Sequence, residues 1–324
     1  MELPEQLKKN WGILLVLGTL FLYLVLKGAL AGAAWLDMAA GAVIFFEIIT
    51  LVYLEVKEGV GKHGWKHEIV DTFIAIAIAL LIWYGAQFAL GTNSPISSVV
   101  SCSMLNELQR GDFVIVQGGD ITATQVKLTA AEFNATTHGP FVVSGAGLNA
   151  TLPVPLYSYC MCNQHQEICT AFFSSPEDFV EVAGPAVYHY GWCDKNYGDK
   201  LATKTRCLDY LDLKGKELHL DNKANNVIVY GPRPTDLYAS VGDIVHRSVA
   251  KLDVDGKTYY LTGGDNNPVL DSQVYDCRGV GNVPPATENV KGKVISKIPY
   301  LGYLKLFISG YWGQDEQCSW TIKR

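Results

Sequence analysis

Two hydroxyls spaced two residues apart stand in Ser101-Cys102-Ser103-Met104. This small-residue turn lies just past an apolar run and just before the strand-like stretch Phe113-Val114-Ile115-Val116. A serine is a poor nucleophile near neutral pH unless an imidazole takes its proton and a carboxylate fixes the tautomer of that imidazole. The chain offers an imidazole inside an apolar strand, His246 in Ile244-Val245-His246-Arg247. It offers two carboxylates, Asp265 and Asp271, in the polar loop Gly263-Gly264-Asp265-Asn266-Asn267-Pro268-Val269-Leu270-Asp271. Ser103, His246 and a carboxylate of that loop thus compose a possible nucleophile, base and orienter. Residue types alone leave a second reading open, in which His246 is a hydrogen-bonded structural residue. Metal-ligand residue types also occur in Cys160-Met161-Cys162-Asn163-Gln164-His165 followed by Cys169. That spacing is not a standard zinc pattern, and disulfides are the alternative.

These groups need elements to hold them. At 324 residues the chain can build two or three domains, each with its own core. A net charge of −6 argues against nucleic acid as a partner. There is neither a glycine-rich phosphate loop nor a dinucleotide fingerprint, and no cofactor is expected. Residues 11–26 are uncharged, 38–54 are interrupted by Glu47 alone, and 69–90 carry only Asp71 near the start and Gln87 near the end. Three transmembrane helices follow, at about 11–34, 38–54 and 69–90, making residues 1–90 a membrane anchor. Glu47 is costly in lipid, and a hydrogen bond to a neighbouring helix would satisfy it. Lys8 and Lys9 precede the first run, and Lys57, Lys62 and Lys66 with His63 and His67 separate the second from the third. The positive-inside rule places both groups in the cytoplasm, so three crossings deliver residue 91 onward to the outside. The eight cysteines agree independently, because none precedes Cys102 and disulfides persist in oxidising compartments.

Beyond the anchor, residues 91–116 and 225–324 read as one β-rich domain. Its strands fall at 113–116, 227–230, 242–249 and 257–262, and Asp255-Gly256 marks a hairpin turn between the last two. Residues 117–224 read as a disulfide-rich extracytoplasmic insertion. Its first part, 117–156, alternates like short strands and carries two glycosylation sequons, at Asn134 and Asn149. Its second part, 157–221, is dense in aromatics and cysteines and shows little periodicity. The greasy stretch 298–308 is too short to span and is expected to rest on the membrane surface.

Four stretches, in order, resemble the boxes of type I signal peptidases of the archaeal and endoplasmic-reticulum (Ser-His-Asp) branch. Ser101-Cys102-Ser103-Met104 with Arg110-Gly111-Asp112 resembles the Ser-Gly-Ser-Met and Arg-Gly-Asp box. Val227-Ile228-Val229-Tyr230 with Ile244-Val245-His246-Arg247 resembles the strand and His-Arg box. Gly264-Asp265-Asn266-Asn267 with Asp271 resembles the Gly-Asp-Asn-Asn and Asp box. Gly292-Lys293-Val294-Ile295 with Ile298-Pro299-Tyr300-Leu301-Gly302 resembles the last box. Together they cover residues 97–116 and roughly 226–309. The resemblance implies a mainly-β catalytic domain with Ser103 as nucleophile, His246 as base and Asp271 as the third member. It also implies an oxyanion role for the Ser101 hydroxyl and a supporting place for Asp265. The implied reaction is removal of N-terminal signal peptides from secreted preproteins, bound as an added strand and cut after small residues. The implied partners are those preproteins, the lipid bilayer and the protein-export machinery.

The chain departs from that pattern in three places. Cys102 stands where the family has glycine, Leu105-Asn106 replaces Glu-Pro after Met104, and about a hundred residues separate strands the family joins closely. The alternative these departures raise is a catalytically inactive, peptidase-like surface scaffold whose insertion binds a partner.

Overall fold

A computed structural model describes residues 11–29, 34–198, 200–310 and 316–324. Its first part is helical: α1 (Trp11–Ala29), α2 (Ala34–His63) and α3 (Trp65–Leu90). Among the described residues two stretches are long and apolar enough to cross a membrane, Ala39–His63 and Trp65–Leu90, with mean hydropathies of 2.0 and 2.1. α1 offers a shorter apolar stretch, Leu14–Tyr23; residues 30–33, expected to extend it, and Lys8 and Lys9 lie outside the described residues. α2 runs on past Leu54 to His63, and Gly64 alone, with φ of 80°, separates it from α3. The basic residues 57–67 therefore sit on helix ends rather than in a loop, where Lys62 pairs with Glu58 and His67 with Asp71. Glu47 gains the expected bond from a neighbouring helix at one oxygen, where the Thr19 hydroxyl of α1 donates to Oε1 at 2.7 Å, while Oε2 is buried without a hydrogen-bond partner.

The rest is mainly β. In chain order it contains β1 (Ile96–Ser98), β2 (Phe113–Gln117), β3 (Thr124–Leu128), α4 (Ala130–His138), β4 (Phe141–Gly145) and β5 (Leu148–Leu152). Next come α5 (Leu156–Cys162), α6 (Glu167–Ser174), β6 (Val180–Ala183), β7 (Ala186–Tyr197), β8 (Lys200–Leu213) and β9 (Lys216–Leu218). The series closes with β10 (Val227–Tyr230), β11 (Ile244–Val254), β12 (Lys257–Gly263), β13 (Val290–Ile298), α7 (Tyr303–Ile308) and β14 (Thr321–Lys323). One sheet has the order β1-β2-β13-β10-β11-β12, and β3 joins the far half of β11 in parallel. The second has the order β5-β4-β6-β7-β8-β9, with β14 on β7.

Alternation explains most of the first sheet. β2 buries every second residue, while β10 is buried throughout because it lies between β13 and β11. The β11–β12 turn has positive φ at both Asp255 (48°) and Gly256 (84°), the mirror-image geometry that matches strand twist. Two elements were not evident in the sequence. The long β7–β8 hairpin hides its period because a register shift between His189 and Tyr190 breaks the alternation midway. α4 replaces part of the expected short strands, and its start is written in Thr129 and Glu132, which form a reciprocal capping box.

The two sheets share a core. Val126 of β3, Leu252 of β11, Leu261 of β12 and Leu270 after β12 pack in one buried cluster with Tyr188 of β7, Leu208 and Leu211 of β8, Phe172 of α6 and Phe179 just before β6. The Phe172 ring meets Phe179 and Tyr190 edge-on at 5.6 and 5.1 Å. β3 and β14 also cross the limits at residues 117 and 224, each pairing with the sheet on the other side. All eight cysteines are paired: Cys102–Cys318, Cys160–Cys169, Cys162–Cys277 and Cys193–Cys207. Pairing of Cys160 with Cys169 removes the metal-site alternative for that segment. The stretch before α7 returns to the N-terminal helices, where the Tyr300 ring meets Tyr23 of α1 edge-on at 6.5 Å, and α7 packs against α2. Leu301 and Ile308 stay exposed.

The capping box gives a direct test. Thr129→Ala removes a cap worth about 1 kcal/mol, so amide exchange across Ala130–His138 should speed up about fivefold. Exchange in β10 should not change.

Candidate active site

β11 is the strand on which the site is built. Ile228 of β10 lies opposite His246, and Thr262 of β12 lies opposite Ser248. With side chains alternating along each strand, Tyr230 and Thr262 share the face of His246, one on each flanking strand. After β12 the chain turns through residues 264–270 and presents Asp271 at the start of a short 3-10 turn below that face. The Ser103 turn comes from the other direction, between β1 and β2. It is closed by backbone bonds from Val99 to Asp112 (2.9 Å) and from Gly111 to Val99 (2.9 Å). Gly111 has φ of 90°, and a Cβ there would meet the Tyr303 ring, so the Arg110-Gly111-Asp112 turn needs glycine.

The three groups read from the sequence are in contact. Ser103 Oγ lies 2.9 Å from His246 Nε2, and His246 Nδ1 lies 2.7 Å from Asp271 Oδ2. All three are buried, at 8%, 5% and 3% exposure. Asp271 Oδ2 also accepts the Thr262 hydroxyl at 2.6 Å and the Tyr230 hydroxyl at 2.9 Å. Burial pushes the Asp271 carboxyl up, but the charge of His246 and hydrogen bonds from His246, Thr262 and Tyr230 outweigh it and hold it below the ordinary carboxylate range. Burial and the neighbouring Asp271 charge push the Tyr230 phenol well up, so it stays a donor. The arrangement can take a proton from Ser103 at one imidazole nitrogen and steady the resulting cation at the other. The Ser101 hydroxyl lies 3.1 Å from Ser103 Oγ.

Asp265 holds a different partner. Arg247, the residue after His246, donates to it from Nε at 2.8 Å and Nη2 at 2.7 Å, and Lys223 reaches it at 2.5 Å. Both Arg247 and Asp265 are 3% exposed at the side chain. Burial pushes the Asp265 carboxyl up, and bonds and charge from Arg247 and Lys223 bring it below its ordinary range. Asp265 therefore acts on the strand bearing His246, not on His246 itself. Gly264 is needed because a Cβ there would stand 2.5 Å from the Ser103 carbonyl oxygen.

Cys102 is compatible with this geometry. Its φ is not in the left-handed region, and its disulfide to Cys318 leaves Ser103 in reach of His246. Tyr230 and Thr262 are site residues whose roles the sequence did not signal; only the strand register joins them to Asp271. The second sheet reaches the same turn. Gln273 donates to the Tyr190 hydroxyl at 2.8 Å, and Tyr190 donates to Glu181 at 2.8 Å. Burial pushes the Glu181 carboxyl up to about 7, against hydrogen bonds from Tyr190 and the Leu156 N–H. The sequon residues are away from the site: Asn134 is exposed on α4 and Asn149 exposed on β5.

No protein-family model matches the chain. It is 33% identical over 101 residues to the signal peptidase complex catalytic subunit of Sclerotinia sclerotiorum, covering 31% of this chain and 54% of that protein. The signal peptidase complex catalytic subunit of Verticillium alfalfae is 31% identical over 101 residues, again 31% of this chain and 54% of that protein. An uncharacterized protein of Methanocaldococcus jannaschii is 32% identical over 69 residues, 21% of this chain and 32% of that protein. The chain thus spans about half the length of the catalytic subunits it matches.

The Arg247–Asp265 pair predicts acid sensitivity. A carboxyl with a depressed folded pKa stabilises fully above its unfolded value, about 3.9, and that stability is lost as pH falls through the folded value. Asp265→Asn leaves the buried Arg247 with only the Asn225 carbonyl at 2.7 Å and the more distant Glu107 carboxylate at 3.7 Å, so it should cost about 3 kcal/mol at neutral pH. It should also flatten part of the fall in unfolding midpoint below about pH 4. Unfolding followed by tryptophan fluorescence across pH checks both.

Proposed function

Because the chain is related to the type I signal peptidases of the endoplasmic-reticulum and archaeal branch, we propose that it is a membrane-bound serine endopeptidase removing signal peptides from exported preproteins. Three N-terminal helices anchor it, the N-terminal side faces the cytoplasm, and the β-rich part works outside, with residues 117–224 as an insertion on the peptidase domain. Asn134 and Asn149 are then open to glycosylation there. The observation that carries the reading is the unbroken contact Ser103–His246–Asp271 in a chain of this ancestry.

In the proposed mechanism an extended preprotein, delivered by the export machinery, lies beside the Ser103 turn with small side chains one and three residues before the cut. His246 Nε2 accepts the Ser103 proton as Oγ attacks the scissile carbonyl, and Asp271 steadies the imidazolium. The Ser101 hydroxyl and the Ser103 N–H take the developing oxyanion. His246 then protonates the leaving amine. Water, deprotonated by the same nitrogen, releases the signal peptide from the Ser103 ester. Asp265 serves this chemistry by fixing Arg247, and through it the strand position of His246.

The test uses purified full-length protein in lipid and a preprotein with alanine before the cut. Ser103→Ala and His246→Ala should each lower kcat by at least about 10³-fold, and Asp271→Asn by about 10⁴-fold. Wild-type rates in Ser103→Ala would sink the proposal. A wild type that binds preprotein without cutting it would favour the inactive scaffold instead.

A further inference from the structure

His246 and Asp271 are fixed by a sheet and its adjoining turn, but Ser103 is not. It lies on a loop between β1 and β2, outside the strand ladders, and a misplacement of about 1 Å can cost about 10²-fold in rate. Bonds between Val99, Gly111 and Asp112 close the base of that loop, and its further ties come from far away in the chain. Cys102, 3% exposed and next to Ser103, is bonded to Cys318 across 216 residues. Asn266, fully buried, then ties the same two segments without covalent help. Its Nδ2 donates to the carbonyl oxygens of Cys102 at 3.0 Å and Trp320 at 3.1 Å. Its Oδ1 accepts the Ile322 N–H at 2.7 Å, and its own N–H donates to the Ser103 carbonyl at 2.7 Å. Gln317 donates to the Asn266 carbonyl at 3.0 Å and to Asn267 Oδ1 at 2.9 Å, and Arg324 donates to the carbonyls of Asp265 and Asn267. The segment is held at its other side too. β14 pairs with β7, Ile322 packs on Cys193 and Cys207, and Lys195 lies 4.2 Å over the Trp320 ring.

Resting on the reading of Ser103 as nucleophile, we propose that residues 316–324 are a positioning clamp for it. Cys102–Cys318 and Asn266 lock this segment onto the Ser103 turn and so keep Oγ within reach of His246. The clamp touches neither substrate nor the reacting oxygen. It acts through the backbone on either side of Ser103. The cysteine that stands where the resembled family has glycine is thereby a built part of the site.

The experiment compares the wild type with Cys102→Ala/Cys318→Ala and with Asn266→Asp, which keeps the disulfide but loses the two Nδ2 donors. Full-length protein in lipid is assayed on the alanine-containing preprotein, and amide exchange is read at Asn266, Ile322 and β10. Both variants should lower kcat at least about tenfold with KM within about twofold, because placement rather than binding is lost. The Asn266 and Ile322 amides should lose protection while β10 keeps it, which shows the fold intact. A kcat within about twofold of wild type in both variants overturns the clamp. If the wild type does not cleave, the reading of Ser103 as nucleophile fails by itself. Exchange then decides the clamp: lost protection at Asn266 and Ile322 in the double variant supports it, and unchanged protection overturns it.

Discussion

A carboxylate 3% exposed must be paired or it will not stay charged, and much of the β-rich part answers to that requirement at Asp271. Its partners come from three neighbouring strands: Tyr230 on β10, His246 on β11 and Thr262 on β12. One oxygen collects all three donors, so the spacing of those strands is fixed by a single atom as well as by the ladder. The imidazole gains its orientation in the same stroke. Its other nitrogen can then face only the direction from which the Ser103 turn arrives.

The second sheet supports this centre from behind. It shares the hydrophobic cluster under β11 and β12, and it reaches the turn after Asp271 through Gln273, Tyr190 and Glu181. Ser158 of α5 donates to the Gln273 carbonyl at 2.7 Å and accepts the Tyr275 N–H at 2.9 Å. The Cys162–Cys277 disulfide joins the same two segments a few residues on. The segment between residues 117 and 224 is therefore the floor on which the Asp271 turn rests.

Local chemistry was legible in the sequence wherever one residue type at one position decided the matter. Two serines separated by one residue, histidine in an apolar strand, Asp255-Gly256 at a hairpin and Glu47 in a greasy helix each carried their own signal. What was hidden depends on juxtaposition. Tyr230 and Thr262 look like ordinary strand residues until the register of β10, β11 and β12 puts both against Asp271. The partner of Cys102 could not be chosen among seven other cysteines without the fold. The β7–β8 hairpin is masked by its own bulge, and α4 is short enough that only its capping pair, Thr129 and Glu132, marks it in the sequence.

The order of the parts along the chain has a consequence for biosynthesis. Ser103 emerges first, His246 follows 143 residues later, and Cys318 comes 216 residues after Cys102. At synthesis rates of roughly 5–20 residues per second, the interval between the two cysteines is roughly 10–40 s. Until His246 emerges the Ser103 turn has no imidazole beside it, and until Cys318 emerges Cys102 has no disulfide partner. On the proposed reading of Ser103 as nucleophile, the growing polypeptide has no nucleophile–base pair before His246 is delivered and no tie on the Ser103 turn before Cys318 is delivered.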